Sequence, residues 1–295
     1  IGLGIPAEPL FRSGRNNTKG GAFGIIADVM PLTNFETRRI IVKAIDNFRS
    51  PFLNVLASAN SFQSGLQIVP KTFSWTMAPA VNAICRMGSK EDKTLVFEAM
   101  LVHLANKEVP STKRGHKGET ELLVEQAARV AKNVKAGQDR ARDKLCEVFD
   151  NLIESKNLLE NKILALKMPD STQEDRNITG LVANKLMGRY QRPVLVLSRK
   201  VLEDGSVHWA GSGRNGGDGL ESFQKFLIDS NLVDWAQGHD NAFGVSVPDE
   251  NFATLIQYGN TELANFDFTP KYKVDIVYNG TNIDIADITS LADKR

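Results

Sequence analysis

The chain has 295 residues, 42% of them hydrophobic and 24% charged, with a formal net charge of +1. That length suits about two domains, and the composition excludes collagen-like, coiled-coil and disordered classes. No apolar run reaches the ~18 residues of a membrane helix, so no membrane partner is expected. Two cysteines, Cys85 and Cys146, have neither metal-ligand nor disulfide spacing. Both read as core thiols in a reducing, cytoplasmic setting. The chain opens on Ile1 rather than Met, and its first residues lack the regions of a signal peptide. This opening reads like the middle of a protein.

The near-zero charge hides a gradient. Residues 1–150 carry 21 Lys and Arg against 15 Asp and Glu, residues 151–228 carry 11 against 9, and residues 229–295 carry 4 against 11. A basic first half and an acidic tail fit a polyanion-binding surface away from the C-terminus. Lys113, Arg114, His116 and Lys117 form a local basic cluster in a Gly-containing loop, where a phosphate backbone could be contacted.

In chain order, Ala22–Met30 is an apolar run of strand length, ended by Pro31. Thr33 and Glu36 make a capping-box pattern for a helix with Ile40, Ile41, Ala44, Ile45 and Phe48 on one face. Further helices are expected over 51–60 and over 92–105, the latter with Leu95, Ala99 and Val102 inward. Residues 119–166 read as one long helix or two, with a break at Ala136–Gly137. A turn-rich linker follows at Met168–Thr172. After it the pattern predicts a helix over 178–186, strands over 193–198 and 206–210, and a helix over 218–228. A strand over 241–247, a helix over 250–258 and a strand over 271–278 follow. Strands alternating with helices indicate an α/β fold.

Several residues stand out chemically. Asp28 lies in the first apolar run, where a lone carboxylate is costly unless it is paired or holds a metal. Gly211–Gly217 (GSGRNGG) comes between a strand and a helix, a setting in which backbone amides and Arg214 could hold a phosphate. It is not a Walker A loop, since no Gly-Lys-Ser/Thr follows. His239 falls in the loop segment GHDNAFG. Residues 78–88 (APAVNAICRMG) hold one Asn and one Arg in a turn or short helix.

Taken in order, these pieces resemble the RecJ branch of the DHH phosphoesterases. The resemblance is carried by GIIADVMPL at 24–32, APAVNAICRMG at 78–88, the long charged helix, GLVANKL with YQRPVLVL at 180–197, GSGR at 211–214 and GHDNAFGVSV at 238–247. It runs from about residue 20 to about 258.

The resemblance implies two α/β domains flanking a cleft and joined by a long helix. The expected spans are 1–118 for the end of the phosphoesterase domain, 119–167 for the connector, 168–260 for a substrate-binding domain and 261–295 for an extension. It implies two-metal hydrolysis of single-stranded DNA from its 5′ end with Mn2+ or Mg2+. The expected setting is DNA repair, recombination or replication. Asp28 matches a metal-ligand aspartate, and Arg86, Ser212 and Arg214 match phosphate-holding positions. Asn82, Gly213 and His239 are the accompanying substrate-binding residues. Ala80 stands where the family has an Arg.

The family's other metal ligands precede the segment at residue 24, and residues 1–23 contain no Asp and no His. The chain is therefore expected to bind single strands but to hydrolyse them poorly or not at all. An upstream segment or a separate subunit would carry the remaining ligands. Two other readings are a non-catalytic RecJ-related binding or scaffold protein that meets replication or repair proteins, and a phosphodiesterase acting on oligoribonucleotides or cyclic dinucleotides.

Overall fold

The computed structural model describes residues 18–27, 34–46, 50–59, 72–169, 173–216, 219–269, 284–286 and 289–290. The first part of the chain is helical: α1 (Thr18–Ala27), α2 (Phe35–Asp46) and α3 (Pro51–Ala59). A π-helical turn, Phe73–Met77, runs into α4 (Ala78–Met87), and α5 (Lys90–Met100) follows. The start signals are local. Asn34 Oδ1 accepts from Glu36 N at 2.8 Å, Pro51 opens α3, and Ser89 and Asp92 form a reciprocal capping box at 3.1 and 3.0 Å before α5.

The strand expected over Ala22–Met30 is a helix as far as Ala27, and Asp28, Met30 and Thr33 lie outside the described residues. A short apolar run without alternation fits a buried helix as well as a strand. Here Ala22 and Ile26, one turn apart, enter a core shared with Ile41, Phe52, Leu56, Phe73 and Met77. The helix expected over 92–105 ends at Met100; Ala99 is buried as predicted, but Val102 leaves the helix and is 69% exposed.

Strands β1 (Glu108–Pro110) and β2 (Thr120–Leu122) pair antiparallel and carry the basic loop between them, with Gly115 and Gly118 at positive φ. Glu121 anchors this hairpin. Its Oε1 accepts from Arg129 Nη2 at 2.6 Å, Gln126 Nε2 at 2.9 Å, Thr112 N at 3.1 Å and Ser111 Oγ at 3.2 Å. Lys113 Nζ lies 3.2 Å from Oε2. Burial alone would raise this carboxyl's pKa. The bonds from Gln126, Thr112 and Lys113, with the Arg129 charge, reverse that and hold it at about 2.

Helix α6 (Leu123–Ser155) is one unbroken helix of 33 residues, about 50 Å long. It starts after β2 rather than at 119 and passes through Ala136–Gly137 without a break. It also ends before 166: β3 (Leu164–Lys167) occupies the end of the span read as connector. Then come α7 (Thr179–Tyr190), β4 (Val194–Val201), β5 (Val207–Arg214), α8 (Phe223–Asp229), β6 (Trp235–His239), β7 (Ala242–Pro248) and α9 (Phe252–Glu262). The sheet order is β3-β4-β5-β7-β6, with β3 parallel to β4 and every other neighbour antiparallel. One face packs Val194 and Val196 against α6 and α7 through Phe149, Ile153, Val182 and Leu186. The other packs Leu195, Leu197, Phe243, Val245 and Val247 against Phe223, Leu227 and Leu255 of α8 and α9. The chain is an α/β protein, as its pattern predicts. The strand expected over 271–278 lies outside the described residues.

Because the folded pKa of Glu121 is depressed, its stabilisation is present above about pH 4.5 and disappears as pH falls towards 2. Glu121→Gln should lower stability at pH 7 by up to about 3 kcal/mol. Denaturant melts of both proteins should converge as pH is lowered through that window; a gap unchanged at low pH would assign the loss to packing instead.

Candidate functional site

The segment GSGR is not a loop: residues 211–214 form the end of β5. Side chains alternate faces along a strand. Ser212 and Arg214, opposite Val196 and Val194 in the register, face α7. Gly211 and Gly213 face the other layer. A Cβ at Gly213 would meet the Phe243 ring at 2.5 Å, and one at Gly211 would strike the carbonyl oxygen of Val196. The glycines thus serve sheet packing, and Gly213 reaches the site through its backbone, its carbonyl accepting from Arg214 Nη1 at 2.7 Å.

The opposing surface is the N-terminus of α7. It has no side-chain cap; Leu181 N and Val182 N donate to the Ile178 carbonyl, which leaves the amides of Thr179 and Gly180 to other partners. Thr179 Oγ1 lies 3.0 Å from Ser212 Oγ. Gly180 leaves the room that Arg214 uses: a Cβ there would meet Arg214 Nη2 at 2.8 Å and Ser212 Oγ at 3.3 Å. Thr179 does not stand out in the sequence, and Gly180 does so only as the first residue of the GLVANKL segment.

From the helical part comes Arg86, in the last turn of α4, the short helix of the two readings the sequence allows. Asn82 is one helical turn earlier on the same face, half-buried. Asn177 Nδ2 donates to the Arg86 carbonyl at 2.9 Å and ties α4 to the approach to α7. Burial lowers the pKa of both Arg86 and Arg214, and for Arg214 the charge of Arg86 lowers it further. Among the described residues, no carboxylate acts on either guanidinium. Two partly buried arginines, a hydroxyl pair and an uncapped helix N-terminus therefore converge, an arrangement that favours a phosphate-like anion.

His239 ends β6 rather than lying in a loop, and it is exposed. It and Arg214 both register on Ala242, so they share a face two strands apart, about 10 Å. Gly238, at φ +142°, shapes the strand end that presents it. Asp28 lies outside the described residues. Among the described residues no group of three or more His, Cys, Asp or Glu could hold a metal ion. The described residues do not by themselves make a metal centre. Cys146 is buried and Cys85 half-buried, burial raises both thiols, and neither forms a disulfide. No described helix is long and apolar enough to cross a membrane.

The chain is 34% identical over 233 residues to a single-strand DNA-specific exonuclease, YorK, of the SPbeta prophage in Bacillus subtilis (strain 168), and equally to yorK of Bacillus phage SPbeta. The match covers 78% of this chain and 39% of either relative. The fold of the chain is RecJ-like. RecJ from Thermus thermophilus in complex with Mg2+ superposes with a TM-score of 0.59 at 17% identity, over 86% of this chain and 35% of that one. A manganese-bound exonuclease RecJ gives 0.54 at 19% identity, over 90% and 57%. These structures support the RecJ-like fold, and the chain spans about two-fifths of the length of its curated relatives. No protein-family model matches.

Gly180→Ala separates grip from stability. Alanine favours the helix by up to about 1 kcal/mol, and its Cβ meets only the mobile end of Arg214 and the Ser212 hydroxyl. The melting temperature should hold or rise while affinity for a 5′-phosphorylated single strand falls several-fold. A variant that binds like the wild type would remove Arg214 from the site.

Proposed function

We propose that this chain is the substrate-gripping part of a RecJ-like, metal-dependent 5′→3′ single-strand DNA exonuclease acting in DNA repair, recombination or replication. The observation that carries the proposal is the convergence of Arg86 and Arg214 with no described carboxylate to neutralise them. Buried cations are costly unless paired, and a strand's phosphate supplies the missing charge. Ser212, Thr179 and the α7 amides add hydrogen bonds; Asn82, Gly213 and His239 line the path along which the strand leaves. The helical part through residue 118 and the sheet part from β3 onward act as two lobes with this grip between them, held apart by α6. The names of the curated relatives and the RecJ-like fold support DNA as the substrate and a divalent metal, Mn2+ or Mg2+, as the cofactor.

Asp28 is the one carboxylate the resemblance assigns to the metals within this chain. The chain is thus expected to bind strands without digesting them, the remaining ligands coming from an upstream segment or another subunit. Manganese-dependent digestion by the purified chain, abolished by Asp28→Ala, would overturn that expectation.

Binding of 5′-phosphorylated single-stranded DNA should weaken steeply as salt rises. Arg214→Ala should cost about 1.5–3 kcal/mol of binding, as expected for a charge-assisted contact. Wild-type affinity in that variant, accompanied by a lower melting temperature, would make the arginine a structural residue and defeat the proposal.

A further inference from the structure

We propose that Trp235 is a stacking platform for a nucleobase of the strand gripped at Arg214, and that it gives the site a preference for single strands. This rests on the phosphate-grip reading above and extends it to a residue that reading does not use.

Register places Trp235 on the same sheet face as the grip. Arg214, Ala242 and His239 form one cross-strand row; Ser212, Gly244 and Gln237 form the next; Ala210, Ser246 and Trp235 the one after. Directly paired residues project to the same side. Helix α7 packs on β4 and β5, so the grip lies where its cover meets the β7 and β6 part of this face. There Ala242 and Gly244 make a low floor, while Trp235, Gln237 and His239 stand exposed along the edge strand.

The indole leans over that floor. A Cβ at Gly244 would sit 3.3 Å from Trp235 Cζ3 and 3.7 Å from Cη2, yet the residue remains 42% exposed. A large aromatic side chain resting on glycine and open to solvent is a ready surface for a base.

The platform is also fixed. Asp234, the preceding residue, donates its N–H to the Ser246 carbonyl at 2.9 Å. Its Oδ2 accepts from Ser246 Oγ at 2.7 Å and lies 2.6 Å from His208 Nδ1. Ser206 Oγ lies 3.1 Å from His208 Nε2 and extends the chain of contacts. The start of β6 is thereby tied to β7 and to the start of β5, so the backbone that carries Trp235 is anchored before any ligand arrives.

Two strand spacings and four residue rises separate Trp235 from Arg214, about 16 Å between Cα atoms. A strand held by its terminal phosphate at Arg214 would therefore bring a base some nucleotides inward onto the indole. Stacking on an aromatic face is tolerant of sequence but needs an unstacked base, which a duplex does not offer. The ligand class is a single-stranded oligonucleotide of no fixed sequence.

The test compares lengths. The full chain, without added metal, is titrated with a 5′-phosphorylated dithymidylate and with an oligothymidylate of about eight residues. Trp235→Ala should weaken the longer oligonucleotide about tenfold and leave the dinucleotide within about twofold. Trp235→Phe should recover most of the loss, and Trp235→Leu, with bulk but no aromatic face, should not. Unchanged affinity for the longer strand, equal loss on both lengths, or full rescue by Leu overturns the platform. If Arg214→Ala loses the longer strand and Trp235→Ala does not, the grip stands and the platform falls. If the wild type binds neither oligonucleotide, the grip reading fails and takes the platform with it.

Discussion

Strand β5 pairs along its whole length with β4 and over seven of its residues with β7. That double pairing fixes which way each of its side chains points. It leaves no room at 211 and 213, where the Val196 carbonyl and the Phe243 ring already sit, and it turns 212 and 214 towards α7. A Gly-Ser-Gly-Arg sequence is what such a strand requires if one face is to close on a hydrophobic layer while the other carries a hydroxyl and a guanidinium. The glycines do not bend the backbone around a ligand. They allow close packing, and the packing aims the two polar side chains.

Several charges elsewhere among the described residues are balanced by contact. Glu121 takes donors from four side chains and a backbone amide; Asp143 bridges Arg142 at 2.7 Å and Lys185 at 2.8 Å; Asp150 accepts from Arg189 and from Tyr190. Arg86 and Arg214 have no described acidic partner; Arg192, likewise without one, instead donates to the carbonyls of Leu159 and Asn161. An unpaired buried charge costs stability, and a protein that carries two side by side gives up stability at a site of use. An anion placed there would offset the desolvation cost and screen the repulsion.

How much of this was legible in the sequence follows from what each signal measures. Helices α2, α3, α5 and α6 were readable because spacing and caps are local. The apolar strands β4 and β7 were readable from their length and bounding turns. Helix α1 was misread because an apolar run of nine carries no period. Strands β3 and β6 were missed: β3 is four residues at the end of a long helical pattern, and β6, with Trp, Gln and His facing out, looks like a loop. Arg86, Ser212 and Arg214 could be picked out as candidates through resemblance, but that they converge could not. Thr179 and Trp235 gave no signal, and Gly180 only as part of the GLVANKL segment, since their roles arise from register and helix placement.

Convergence itself depends on α6. Its first turns pack Leu123, Val124, Ala127, Ala128 and Ala131 into the helical core, and its last turns pack Cys146, Phe149 and Ile153 under the sheet. One continuous helix therefore belongs to both cores, and bending it would shift α4 against α7. Gly137, a weak helix former near the middle, would be the natural place for a hinge, yet the helix runs through it. The Lys185–Asp143 pair and the Asn177–Arg86 bond add connections on the same side. Arg86 and Arg214 repel, so they stay together only if something stiffer than their own contact holds them. An unbroken helix shared by two cores supplies that stiffness.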